Sequence, residues 1–352
     1  MPDHMTPRER ILAAIEFTGP DRCPLQHYLF PGVFWKYGQK LLDLLEQYPD
    51  DFGNEIIKSN ASMPPDEGDD TATFLEERDA WGCVRKRLHG YTAGELVEPA
   101  IPTWEAYKNY EFPPLPADSV FEAFAARVAR DHPDKFVLGG GGMMFQHMAN
   151  LRGPENLYMD LAEDNEGIND LADRLVEYNL YSIEKYVKLG ADCLGFGDDW
   201  GSQDRLLIHP DTWRHFFKPR YKRMMEVARD AGVHVWFHTD GWTLDIFEDF
   251  LEIGITILNP QHPIMDTQRV GEILGGRVCI RTDIDRQHVI PFGTPQQVTE
   301  AVKDAVSAFG TYNGGCMLHG EVSPNTPFEN IVALYSAFYK YGEYPLDWLA
   351  GA

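Results

Sequence analysis

The chain has 352 residues, 43% of them hydrophobic, with 31 Lys+Arg set against 55 Asp+Glu for a formal net charge of −24. That length and composition fit one large globular domain or two ordinary ones, with a real core, and exclude disorder. The charge repels polyphosphates, so nucleic acid is excluded as a ligand class, and a polyanionic small molecule is disfavoured unless local arginines reverse the sign.

The opening MPDHMTPRER is polar and lacks the apolar stretch of a signal peptide, and no apolar run approaches the roughly 18 residues of a membrane helix. A cytoplasmic protein with no membrane partner is therefore expected. Residues 6–17, TPRERILAAIEF, combine a capping Thr, a Pro at the first helical position and apolar residues at helical spacing, which predicts a first helix. RCPLQHY (22–28) reads as a first strand, and FPGVFWKY (30–37) as an aromatic loop or short helix. From about 45 to 115 turn chemistry dominates, in MPPDEGDD, EERDAWG and FPPLP. We read about 30–130 as an elaborated N-terminal segment of a single domain spanning 1–352.

From Phe136 the chain alternates apolar runs with helical stretches. The strands are FVLGGGG (136–142), CLGFGDD (193–199), VHVWFHTDG (233–241), TILNPQ (256–261), VCIRTDI (278–284) and GGCMLHG (314–320); clear helices fall at 212–232 and 295–310. This spacing implies a parallel sheet. With earlier strands near 22–28 and 56–60 the count approaches eight, which predicts an α/β fold of the (β/α)8 TIM-barrel type, a doubly wound open sheet being the alternative.

In such a barrel the strand C-terminal ends form one mouth, where Asp198, Asp199, His238, Asp240, Asn259, Gln261, Asp283, His319 and Glu321 would converge. His238 and Asp240, two apart on a strand, share a face and suit either a metal or a proton relay, or a structural hydrogen-bonded pair. One of Asp198 and Asp199 must point inward and needs a partner there; the bland alternative is a helix cap. Gly139–Gly142 lacks a phosphate-loop pattern and reads as space for a bulky ligand. The five cysteines (Cys23, Cys83, Cys193, Cys279, Cys316) are dispersed and form no CxxC pair, so they read as core thiols; alternation puts Cys316 on the strand face opposite His319 and Glu321, and one of these two sets could complete a zinc site begun by His238.

MTPRERILAAIEFTGPDRCPL, DDWGSQ followed by LLIHPDTWRHFFKPRYKRM, VWFHTDG, ILNPQHP and SPNTPFENIVALYSAF together resemble the uroporphyrinogen decarboxylase superfamily over nearly the whole chain. The resemblance implies a β/α barrel and one of two activities. The decarboxylase branch binds a polycarboxylate tetrapyrrole through an arginine-rich segment after the first strand. Here YLFPGVFWKYG has no arginine, and Gly320 stands where that branch has a His before the closing helix.

The other branch comprises corrinoid-dependent methyltransferases. Its thiol-methylating members hold zinc with the His and Cys of an HxCG motif and a later Cys. The first ligand carries over as His238; Asp240 replaces the second, and Gly320, followed by Glu321, stands at the third. The resemblance therefore implies a cobalamin-dependent methyltransferase with harder O/N ligands. The metal set would be drawn from His238, Asp240, Glu321 and Cys316, and would hold zinc.

The catalytic group would be His238, Asp240 and Glu321, and the substrate a small O- or N-methylated molecule such as a methoxylated aromatic. Asp198, Asp199, Gln261, Trp200, Trp236 and Tyr28 would position it, and a corrinoid protein carrying the cobalamin would be the partner. Two rivals stand beside this reading. One is a lyase on a smaller carboxylic acid, which requires an arginine such as Arg281 in the mouth and no metal. The other is a non-catalytic corrinoid- or ligand-binding barrel.

Overall fold

The computed structural model describes residues 5–53, 61–62, 74–88 and 94–351. Its strands are β1 (Leu25–Leu29), β2 (Phe74–Arg78), β3 (Val84–Leu88), β4 (Glu95–Glu98), β5 (Leu138–Gly142), β6 (Cys193–Gly197), β7 (His234–Thr239), β8 (Ile257–Pro260), β9 (Cys279–Arg281) and β10 (Cys316–Val322). Seven of them pair in parallel in the order β1-β10-β9-β8-β7-β6-β5, while β2-β3-β4 form a separate antiparallel sheet. The parallel strands curl with helices packed outside them, which is the expected β/α-barrel class. At the free edge of β1, the Asp51 amide donates to the Leu25 carbonyl at 2.9 Å and Phe52 packs against Phe136 and Trp236. The strand predicted at 56–60 lies outside the described residues.

The first helix, Pro7–Ile15, starts as its sequence dictates: the Thr6 hydroxyl accepts from the Glu9 amide and the Glu9 carboxylate accepts from the Thr6 amide. Its buried face, Ile11, Ala14 and Ile15, packs with Phe136, Cys193, Trp236, Ile257, Cys279 and Met317. Arg8 reaches Asp192 (2.8 Å), just before β6, so this helix plugs the end of the barrel opposite the mouth. The other strand face meets the helices; Phe237, for example, packs on Tyr221 and Phe250.

One expectation is narrowed and two are corrected. FPGVFWKY resolves into a helix at Pro31–Tyr37. The helix expected over 212–232 passes through a π-helical turn at Trp213–Phe217 before running on as Lys218–Asp230. Pro219 has no N–H and its ring clashes with the preceding turn, and the widened turn accommodates both. Gly141 and Gly142 leave no room for a ligand, because a Cβ on Gly141 would meet the Phe196 ring at 2.5 Å and one on Gly142 would meet Asn179 at 2.8 Å. The chain's own side chains fill that space. No helix among the described residues is long and apolar enough to cross a membrane.

Candidate active site

Strand alternation turns Trp236, His238 and Asp240 toward the barrel interior and Val235 and Phe237 toward the helices. β8 pairs with β7 so that Asn259 stands beside His238. His238 Nδ1 lies 2.8 Å from Asn259 Oδ1. The Asn259 amide nitrogen donates to the carbonyls of Arg281 (2.9 Å) and Thr282 (3.2 Å), which fixes its oxygen toward the imidazole. In the neutral ring Nδ1 therefore carries the proton, which leaves the lone pair on Nε2.

That lone pair faces two carboxylates, with Asp240 Oδ1 at 3.6 Å and Asp199 Oδ1 at 3.8 Å. Asp199, His238 and Asp240 offer ligand atoms that all lie within 4.8 Å of one another. Each ligand is held from behind. Arg286 donates to Asp240 Oδ2, Gln146 donates to Asp199 Oδ2, and the Asp240 amide donates to Asp199 Oδ1 at 3.1 Å. Asp240 Oδ1 is buried with no hydrogen-bond partner. An orphaned carboxylate oxygen and an imidazole lone pair aimed at one point fit a divalent cation, and one nitrogen with two oxygens is a donor set compatible with zinc. Burial, reinforced by Asp240, pushes the Asp199 pKa upward, the cost such a cation would relieve.

The two loops that carry the aspartates are joined backbone to backbone. The Gly201 amide donates to the Asp240 carbonyl (3.1 Å) and the Trp242 amide to the Ser202 carbonyl (2.8 Å). A Cβ on Gly241, whose φ is +82°, would lie 2.0 Å from the Gly201 carbonyl oxygen. Gln261 completes the turn by accepting from the Gly241 amide at 3.0 Å.

Beside this cluster lies a cavity of about 240 Å³ lined by Gln26, Tyr28, Trp236, His238, Asn259, Arg281, Arg286, His319 and Glu321. Arg286 faces three carboxylates: Asp240, Glu321 (3.4 Å) and Asp283 (3.6 Å). Burial opposes its charge, but Asp283, Asp240 and Glu321 outweigh burial and raise its pKa. Burial raises the Asp283 pKa to about 7 and raises that of Glu321 as well. His319 is buried; its Nδ1 donates to the Thr282 carbonyl at 3.0 Å, and its Nε2 has no partner.

The structure brings together most of the residues expected at the mouth, with a change of roles. Asp199, expected to touch substrate, joins His238 and Asp240 in the ligand group, while Glu321 lines the cavity across from them. Tyr28 and Trp236 line the cavity as expected. Asp198 and Trp200 do not, because alternation that turns Asp199 inward turns its neighbours outward. Asp198 is fully buried and accepts from the amides of Met144, Phe145 and Gln146 (each 2.8 Å) and from the Tyr221 hydroxyl, so it organises the turn after β5. Trp200 stacks on Phe145 (4.6 Å) and meets Phe217 edge-on (4.7 Å) within the helical layer.

Cys316 is not in the metal group. It begins β10, five residues and about 16 Å of strand before Glu321, and is fully buried on the helix-facing side. The neighbouring Cys23 thiol and then burial raise its pKa, which suits a core thiol. Arg286 escaped the sequence reading because it lies beyond β9, where alternation gives no orientation. Its one trace in the sequence is a basic residue directly after two acidic ones in TDIDRQ.

Comparison with known proteins adds the following. The family described as uroporphyrinogen decarboxylase (URO-D) matches residues 89–341. Among solved structures, a methyltransferase from Methanosarcina mazei superposes with a TM-score of 0.66 at 19% identity, covering 96% of this chain and 99% of its own. An L-ribulose 3-epimerase gives 0.41 at 14% identity over 70% and 91% of the two chains. A dihydropteroate synthase from Anaplasma phagocytophilum gives 0.33 at 17% over 50% and 68%. No curated protein matches the sequence.

Proposed function

The chain belongs to the uroporphyrinogen decarboxylase family, and from that premise we propose that it is a corrinoid-dependent methyltransferase that removes a methyl group from a small O- or N-methylated molecule. The observation that carries this reading is the convergence of Asp199 Oδ1, His238 Nε2 and Asp240 Oδ1 beside a cavity sized for a small ligand. A methyl group on oxygen or nitrogen is a poor electrophile unless the atom it leaves is made acidic. Asp199, His238 and Asp240 would hold a divalent cation, and its Lewis acidity would meet that need.

The chain's own residues do the rest. Asn259 keeps the His238 proton on Nδ1. Tyr28 and Trp236 wall the cavity, and Gln261 fixes the turn behind Asp240. Glu321, whose pKa burial raises, donates a proton to the oxygen or nitrogen that loses its methyl, so that it departs as a neutral hydroxyl or amine. The methyl acceptor would be the cobalamin of a corrinoid protein docked over the mouth.

A lyase acting on a small carboxylic acid is the second reading. Its favouring observation is that Arg281 and Arg286 both line the cavity. Metal analysis of wild type and His238→Ala, with methyl transfer from methoxylated aromatics to reduced cobalamin followed spectroscopically, separates the two. The methyltransferase reading expects stoichiometric zinc and cobalamin methylation, both lost in the variant. Metal-free wild type, with carbon dioxide released and cobalamin unmethylated, overturns it.

A further inference from the structure

Two arginines line the cavity, and only one of them is neutralised. Arg286 faces Asp240, Glu321 and Asp283. Arg281, 5% exposed, has no carboxylate within ion-pair distance among the described residues. Its Nε donates to Gln26 Oε1 at 2.5 Å and its Nη1 to Asn259 Oδ1, both neutral amide oxygens. Asp283 and Glu321 act on it only through space, and Arg286 already engages both. The guanidinium also lies over the Trp236 ring, 4.7 Å from its centroid. These contacts use two of its five N–H groups, leaving the outer edge that carries Nη2 open.

Burying a guanidinium without a counter-charge is costly, and neutral amide partners offset only part of that cost. In a chain of net charge −24 the costly cation is held in place by two side-chain bonds rather than swung out to solvent. It also shares the Asn259 oxygen with His238, which couples the orientation of the cationic edge to that of the ligand group. The unpartnered Nε2 of His319, an acceptor on the same cavity wall, is matched to a hydroxyl or amide hydrogen rather than to a second negative charge.

We propose that the substrate is a small monocarboxylic acid and that Arg281 binds its carboxylate and sets specificity for it. The cavity, at about 240 Å³, falls below the range usual for drug-sized ligands and suits one ring or a short chain, which the faces of Trp236 and Tyr28 would flank. The assignment rests on the methyl-transfer reading only for the methyl group; the carboxylate is argued from Arg281 alone.

The test is calorimetric titration of the full chain, metal-free and zinc-loaded, with paired acids and amides: benzoate and benzamide, methoxybenzoate and methoxybenzamide, methoxyacetate and methoxyacetamide. Wild type should bind at least one acid about tenfold or more tighter than its amide, with or without zinc, as a charge-assisted pair requires. Arg281→Gln should bring that ratio below about threefold, and Arg281→Lys should restore part of it. A wild type with no acid preference, an Arg281→Gln variant that keeps the preference, or no binding of any acid at millimolar concentration overturns the proposal. Arg281-dependent acid binding without methylation of cobalamin would instead overturn the methyltransferase reading alone. Methyl transfer from the amides as fast as from the acids would do the reverse.

Discussion

His238 and Asn259 meet across neighbouring strands, Nδ1 to Oδ1 at 2.8 Å, and two backbone carbonyls on the far side of Asn259 dictate which of its atoms the imidazole sees. The contact fixes a tautomer as well as a position. Asn259→Ala should leave the three ligand residues in place yet weaken zinc binding by about 10–100-fold, the usual cost of losing such a support. Competition with a chromogenic chelator measures this directly, and an unchanged affinity would show that the tautomer needs no help.

Asp199 and Glu321 should separate cleanly. Asp199→Ala removes a ligand and should abolish stoichiometric zinc. Glu321→Gln should retain zinc and lose turnover, because the amide has no proton to give at neutral pH. In wild type, activity should fall as pH rises through the upward-shifted Glu321 pKa, since the protonated carboxyl is the active form. Zinc lost from Glu321→Gln would move that residue into the ligand set.

Cys316→Ala should leave zinc stoichiometry unchanged and lower stability by about 1 kcal/mol or more, as expected of a fully buried side chain facing the helices. Denaturant unfolding and metal analysis of the same sample decide between a core thiol and a thiolate ligand.

Asp198→Ala strips the acceptor from three amides and the Tyr221 hydroxyl inside the protein. Each unpaired buried donor costs about 1–3 kcal/mol, so a loss of at least about 3 kcal/mol is expected in chemical denaturation. A near-neutral effect would return Asp198 to a substrate role.

His262 is fully enclosed, and burial lowers its pKa to about 3 from 6.5. The unfolded chain then binds a proton that the native state refuses. The stability this residue contributes is complete above pH 6.5 and is lost as pH falls toward the folded value. His262→Phe, which keeps the ring packed against Phe309, should flatten the decline in stability between about pH 6.5 and pH 4. Equal slopes for wild type and variant would count against the shift.

The barrel was legible because its signal is local. Apolar runs ending in Asp, His or Gly repeat from Phe136 onward, and alternation in VHVWFHTDG placed His238 and Asp240 on one face without any knowledge of neighbours. The same rule allowed either Asp198 or Asp199 to point inward. The choice depends on Tyr221 and the turn amides, which lie 23 residues or more away in sequence. Cys316 was ambiguous because composition cannot say how far along a strand the mouth begins. Arg286 and the neutral surroundings of Arg281 are products of packing among β1, β8, β9 and the loop after β9, and no window of sequence contains them.

The contact between Gly201 and Gly241 makes the loops after β6 and β7 a single mechanical unit. Neither loop can be lengthened, shortened or swung alone without prying Asp199 away from Asp240, so this corner is a rigid side of the mouth. Substitutions that retune substrate choice are therefore tolerated best around Tyr28 on the β1 side, while the β6–β7 corner stands or falls as a block.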